Sequence, residues 1–248
     1  MTSTTPGPSE PPGGRPQFTA RDLLARAAAE LRPAPDANPF VPLVADGTAA
    51  RGAVAALALE QCRVIPADRR AFLYLADRSA RAGLPAGAAF FSSLAEGERL
   101  AADRLGPLLA ACRVSAEQER AYVPRAGCQA YPAYVAWLAL NGEPADVVLA
   151  LTANFAAWGG YCATLAAALR TRYGFSDEAC AFFDFFAAPA PDLDREALAA
   201  LEEGVARGGV TPGTALRQGR LLQEYEGMFW ASLAGRAGDE GRAGDERP

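Results

Sequence analysis

Along most of the chain, apolar residues return every three or four positions, the period of a helix with one face turned inward. The longest run begins at Pro144, where Leu151, Phe155, Trp158, Cys162, Leu165 and Leu169 fall on one stripe of a helix expected to reach Tyr173. Val54, Leu57 and Val64 form a second stripe, on a helix expected over 49–65, and Leu222, Phe229 and Leu233 a third, on a helix from 212 to about 234. Capping residues and prolines divide the rest. Thr19 opens a helix that Pro33 and Pro35 stop, and residues 38–48 read as a turn-rich connector. Pro66 is expected to break the second helix before another over 69–81. Further helices are expected over 85–112, 115–120, 131–140, 176–186 and 194–207, with a loop over 123–127. No period-two pattern competes, so the fold class is all-α, a compact helical bundle.

The two ends depart from this pattern. Residues 1–16 are rich in Pro, Gly and Ser with nothing apolar to bury, and 235–248 repeat Gly-Arg-Ala-Gly-Asp-Glu; both segments are expected to be disordered. That leaves one helical domain over 17–234, a size one core can serve.

A polar side chain on an apolar stripe is a site candidate, because burying it without a partner costs about 1–3 kcal/mol. Glu226 falls within the last stripe and Gln61 within the second, while Glu224 and Glu60 turn to the flanks. Cys162 lies on the longest stripe, one turn beyond Trp158, with Tyr161 beside it. Gly159 and Gly160, each unfavourable in a helix, point to a close approach by a ligand or another helix. Each candidate keeps a plain alternative. Glu226 can pair with a buried arginine such as Arg220, Gln61 can bridge helices, and Cys162 can act as a small hydrophobe. Tyr131, Tyr134, Trp137 and the phenylalanines around Phe182 are core aromatics unless some of them form a stacking wall.

Composition narrows the chemistry. The chain has no His and no Lys, so it has no imidazole base or metal ligand and no Schiff-base lysine. A net charge of −5 gives no basic field for nucleic acid. The five cysteines include no C-x-x-C, which indicates reduced thiols and a cytoplasmic setting, not a disulfide framework or zinc site. Charged residues interrupt every apolar stretch short of a membrane span. No cofactor and no metal are expected.

Three stretches carry a family resemblance. The first is Asn38-Pro39-Phe40 with Asp46-Gly47-Thr48 and the following Glu60-Gln61-Cys62. The second is Ala130-Tyr131-Pro132-Ala133-Tyr134 with Phe155 through Tyr161, and the third is Tyr225-Glu226-Gly227-Met228-Phe229-Trp230. Together they resemble the TenA/thiaminase II family, and the resemblance implies a haem-oxygenase-like helical bundle over about residues 18–234. It further implies a homo-oligomer that binds a small planar nitrogen heterocycle and hydrolyses an aminopyrimidine in thiamine salvage. Glu226 would then hold the ligand and take part in catalysis, with Gln61, Tyr131, Trp158, Tyr161 and Phe182 around it. The family's attacking cysteine is replaced by Ala156 or Ala157, which leaves Cys162 as a displaced thiol or leaves a binding-only or regulatory descendant. A His-ligated diiron relative is excluded, since Phe185 and Phe186 stand where its ligands would be expected.

Overall fold

The computed structural model describes residues 18–34 and 36–245, the side chains of 156 and of 236–245 aside. The expected leader over 1–16 lies outside them, as do the last three residues of the expected tail. Among the described residues the chain forms eleven helices and no strand.

Local chemistry sets the helix ends. At the start of α1 (Ala20–Glu30), Thr19 and Asp22 form a reciprocal capping box. The connector expected over 38–48 contains a short helix, α2 (Phe40–Ala45). The Asn38 side chain accepts from the N–H groups of Phe40 and Val41 at 3.1 and 3.0 Å, and Phe40, Val41 and Val44 are buried. One turn and a half is too short to show a stripe.

The largest departure from expectation is α3 (Arg51–Arg81), which runs through Pro66 as one 31-residue helix. A mid-helix proline costs about 3 kcal/mol. Val64 and Ile65 before it and Phe72 and Leu75 after it are all buried, each worth about 1.5–3 kcal/mol, so continuous packing wins. The opposite happens at 85–112. Pro107 would clash with the carbonyl of Asp103, and the expected single helix divides there into α4 (Pro85–Ala102) and α5 (Leu105–Ala111).

A capping box between Ser115 and Gln118 opens α6 (Ala116–Ala121). The following helix, α7 (Ala126–Asn141), starts five residues ahead of the expected Tyr131 and takes in Pro132. Its Gly127 is required by packing: a Cβ there would stand 1.9 Å from the Ser232 hydroxyl. Next come α8 (Pro144–Tyr173), closed by Gly174 in the left-handed region, and α9 (Asp177–Ala187), capped by Ser176. The chain ends with α10 (Pro191–Ala206) and α11 (Pro212–Asp245). The last of these continues past Ala234 into the segment whose composition predicts no structure.

The core has two halves. One joins α2, the first half of α3, α5, α9 and the C-terminal halves of α8 and α11 around Phe40, Phe182, Phe183 and Trp230. The other joins α1, the second half of α3, α4, α7, α10 and the N-terminal parts of α8 and α11 around Phe72, Phe90, Phe91 and Leu138. Tyr131 packs against both. By length and composition α8 is apolar enough to cross a membrane. In the bundle it is an inner helix that contacts α9, α11, α2 and α10, which accounts for its apolar character.

One buried charge fastens the first half-core. Glu60 is completely buried, where the sequence turns it to a flank, because the α6–α7 connection covers that flank. Its carboxylate accepts from Tyr122 Oη at 2.6 Å, the Arg125 N–H at 2.8 Å and Gln129 Nε2 at 2.9 Å. Glu60→Ala strands all three donors and is expected to lower stability by about 2–4 kcal/mol. Exposed Glu224→Ala is expected to change it by less than about 0.5 kcal/mol. Denaturant midpoints measure both, and equal midpoints would show that Glu60 fastens nothing.

Candidate functional site

A cavity of about 1270 Å³ lies between the two half-cores. It is larger than the roughly 300–1,000 Å³ typical of small-molecule pockets. Its walls are mostly apolar: Leu31, Ile65, Phe72, Phe90, Leu94, Phe155, Trp158, Phe185, Phe186 and Phe229 all face it. Polar side chains reach it from several helices: Gln61 and Asp68 on α3, Glu98 on α4, Tyr131 on α7, Asn154 on α8 and Glu226 on α11, with Arg32, Ser93, Thr152 and Asp194 also lining it.

Of the residues singled out from sequence, Glu226, Gln61, Tyr131 and Trp158 are brought together on this cavity. Tyr161, Phe182 and Cys162 are not among its lining residues. Tyr161 meets the edge of Trp230 at 5.6 Å between ring centroids, and Phe182 packs edge-on behind Phe186 at 5.3 Å. Cys162 is wholly buried, and burial together with the nearby Glu226 charge holds its thiol well above the usual range, the reverse of an activated nucleophile. Ala157 does line the cavity. Gly159 answers to helix packing, since a Cβ there would come within 3.2 Å of the Phe186 carbonyl, while Gly160 has open space around it.

Glu226 is oriented by its own helix. Trp230, one turn on, donates its indole N–H to Glu226 Oε1 at 3.1 Å. Trp230 is in turn fixed between Phe40 at 6.2 Å and Trp158 at 5.8 Å, both stacked on it. Among the described residues no arginine pairs with Glu226; Arg220 is bound to Glu30 at the surface. Burial raises the Glu226 carboxyl to about 7, with the Trp230 and Asn154 hydrogen bonds opposing the rise. At neutral pH the group therefore both gives and takes a proton.

Asp68, Glu98 and Asn154 were not singled out from sequence. Asp68 is two turns from Gln61 on the same face of α3, a relation hidden by ending that helix at Pro66. Glu98 follows Phe90 and Leu94 at intervals of four, and Asn154 lies three residues after Leu151 on the long stripe. Burial raises the Asp68 carboxyl to about 8 and pushes Glu98 well up, aided by the charge of Asp68. Burial raises the Tyr131 phenol too, followed by the charges of Asp68, Glu226 and Glu98. Among the described residues no group of His, Cys, Asp and Glu is arranged to hold a metal ion.

The helices form an all-α bundle whose fold is similar to that of a solved TenA homologue. The particular likeness is to a TenA homologue protein from P. horikoshii OT3, with a TM-score of 0.63, 14% identity, 89% of this chain covered and 100% of that one. At that identity the shared property is the fold. A domain of unknown function from Shewanella denitrificans OS217, described as having a heme oxygenase-like fold, gives 15% identity over 83% of this chain and 89% of that one, at a TM-score of 0.49. No family model and no curated protein matches the sequence.

The raised carboxyl of Glu226 has a thermodynamic consequence. The unfolded chain loses this proton near pH 4.5, while the folded protein holds it to about 7. Between those values the folded state binds more protons, so stability falls as pH rises and levels off above 7. The expected contribution is on the order of 2–3 kcal/mol between pH 4.5 and pH 8. Glu226→Gln is expected to remove that part of the slope in denaturant midpoints taken across this range. An unchanged slope in the variant would mean that Glu226 is solvated.

Proposed function

We propose that this chain is a TenA-like protein that binds a small planar nitrogen heterocycle, of the aminopyrimidine kind, in the cavity between its two half-cores. The observation that carries the reading is Glu226, a carboxyl with no cationic partner among the described residues, fixed by Trp230 beside the Trp158 ring. A flat ring stacked on Trp158 brings amino and ring nitrogens to Glu226, and Gln61 supplies one donor and one acceptor. Tyr131 closes the polar side. The five unpaired cysteines support a cytoplasmic setting.

Hydrolysis of an aminopyrimidine is the second reading, favoured by the carboxyl near 7. Here water attacks the exocyclic methylene carbon on the pyrimidine as its bond to the leaving nitrogen breaks; Glu226 takes the proton from water and, where an amine leaves, delivers it to that amine. The Cys162 thiol, buried and off the cavity, has no part in this scheme.

The test uses 4-aminopyrimidine and thiamine with the purified chain, following binding by calorimetry and hydroxymethylpyrimidine release by chromatography. Glu226→Gln is expected to weaken 4-aminopyrimidine binding about 10–100-fold, the value of one charge-assisted hydrogen bond. Cys162→Ala is expected to leave binding, and any release, at the wild-type level. Absence of binding by the wild type sinks the ligand assignment, and loss of release in Cys162→Ala sinks the account of the thiol.

A further inference from the structure

Glu226 and Trp158 occupy one end of the polar inventory, and a single pyrimidine ring fills a small part of about 1270 Å³. What remains is the pair Asp68 and Glu98. Asp68 is 4% exposed, and neither its Oδ1 nor the Oε2 of Glu98 touches water or a hydrogen-bond partner among the described residues. Asn154, on α8 and only 2% exposed, belongs with Glu226, whose carboxyl it hydrogen-bonds. Unpaired buried polar atoms are uncommon because each one costs stability. Two of them, from α3 and α4, turn toward one space.

Their chemistry is one-sided. Carboxylates accept hydrogen bonds, and the one lining residue with a fixed positive charge is Arg32, an exposed residue that follows α1. A group that meets this pair must bring several N–H donors and a positive charge. We propose that Asp68 and Glu98 form a second, cation-binding pole of the cavity that receives a primary ammonium or amidinium group on the ligand. The natural ligand is then a flat aromatic ring that carries a cationic amine arm, its ring on Trp158 and its arm between α3 and α4. This extends the cavity's reading as a ligand site and does not require that the ring be an aminopyrimidine.

A proton balance follows. Burial favours the protonated form of both acids; an ammonium group bound between them stabilises the carboxylates, so binding releases protons to solvent. The titratable groups that share the cavity with the pair are the Tyr131 phenol on α7, Asp194 on α10, Glu226 on α11 and the exposed Arg32 after α1, and no buried cation stands among them.

The probes are phenethylamine and 2-phenylethanol, the same ring and arm ending in ammonium or in neutral hydroxyl, measured by titration calorimetry at pH 7 in two buffers of different ionisation heat. Phenethylamine is expected to bind at least about tenfold more tightly than the alcohol, with net proton release. In the Asp68→Asn, Glu98→Gln double variant that preference and the proton release should both vanish. The substitutions keep side-chain shape and remove two burdened acids, so the variant should melt no lower than wild type, and circular dichroism checks this. Equal binding of amine and alcohol by wild type, or a preference that survives in the double variant, overturns the proposal. If the amine preference stands while 4-aminopyrimidine does not bind, the pyrimidine reading fails and the acidic pole holds; the converse removes the pole alone.

Discussion

Pro66 stands in the middle of α3 without ending it, and the arrangement of the cavity depends on that continuity. A helix broken there would let the two half-cores turn independently, and Gln61 and Asp68, seven residues apart, would no longer share a face. Because the helix holds, its first half belongs to one apolar cluster and its second half to the other, and the space between them is lined from both. The proline's lost hydrogen bond is small beside the burial on either side.

The same space gathers charge of one sign. Three carboxyls on three helices approach a single tyrosine without a lysine, histidine or buried arginine to neutralise them. A folded protein keeps such a group by leaving it protonated or by giving it to a ligand. Glu60 shows the contrasting solution: a buried carboxylate with three donors, on the flank of the same helix, satisfied and closed to solvent. The difference between Glu60 and the cavity acids is the difference between a fastening and a site.

The bundle was legible because helical periodicity and caps survive in one sequence, and the stripes placed Gln61 and Glu226 on the inner faces where the cavity lies. The short motifs around Tyr131, Trp158 and Glu226 pointed to the TenA-type fold before any coordinates. What stayed hidden was long-range. Whether a proline breaks a helix depends on packing partners distant in sequence, so an end expected at Pro66 hides Asp68, while the chain does break ahead of Pro107 where one helix is expected. Tyr161 instead meets the edge of Trp230, and Phe182 packs behind Phe186 of its own helix, arrangements that periodicity alone does not reveal. The burial of Glu60 came from a loop that covers a flank.

The central claim is that Glu226, fixed by Trp230, is the polar anchor of a ligand cavity walled by Trp158. The most direct measurement is a crystal structure of the protein with 4-aminopyrimidine bound. The account predicts the ring stacked on Trp158 with a nitrogen at about 2.7–3.2 Å from a Glu226 oxygen. A ring bound outside this cavity, or Glu226 paired with a protein cation in that crystal, would contradict it.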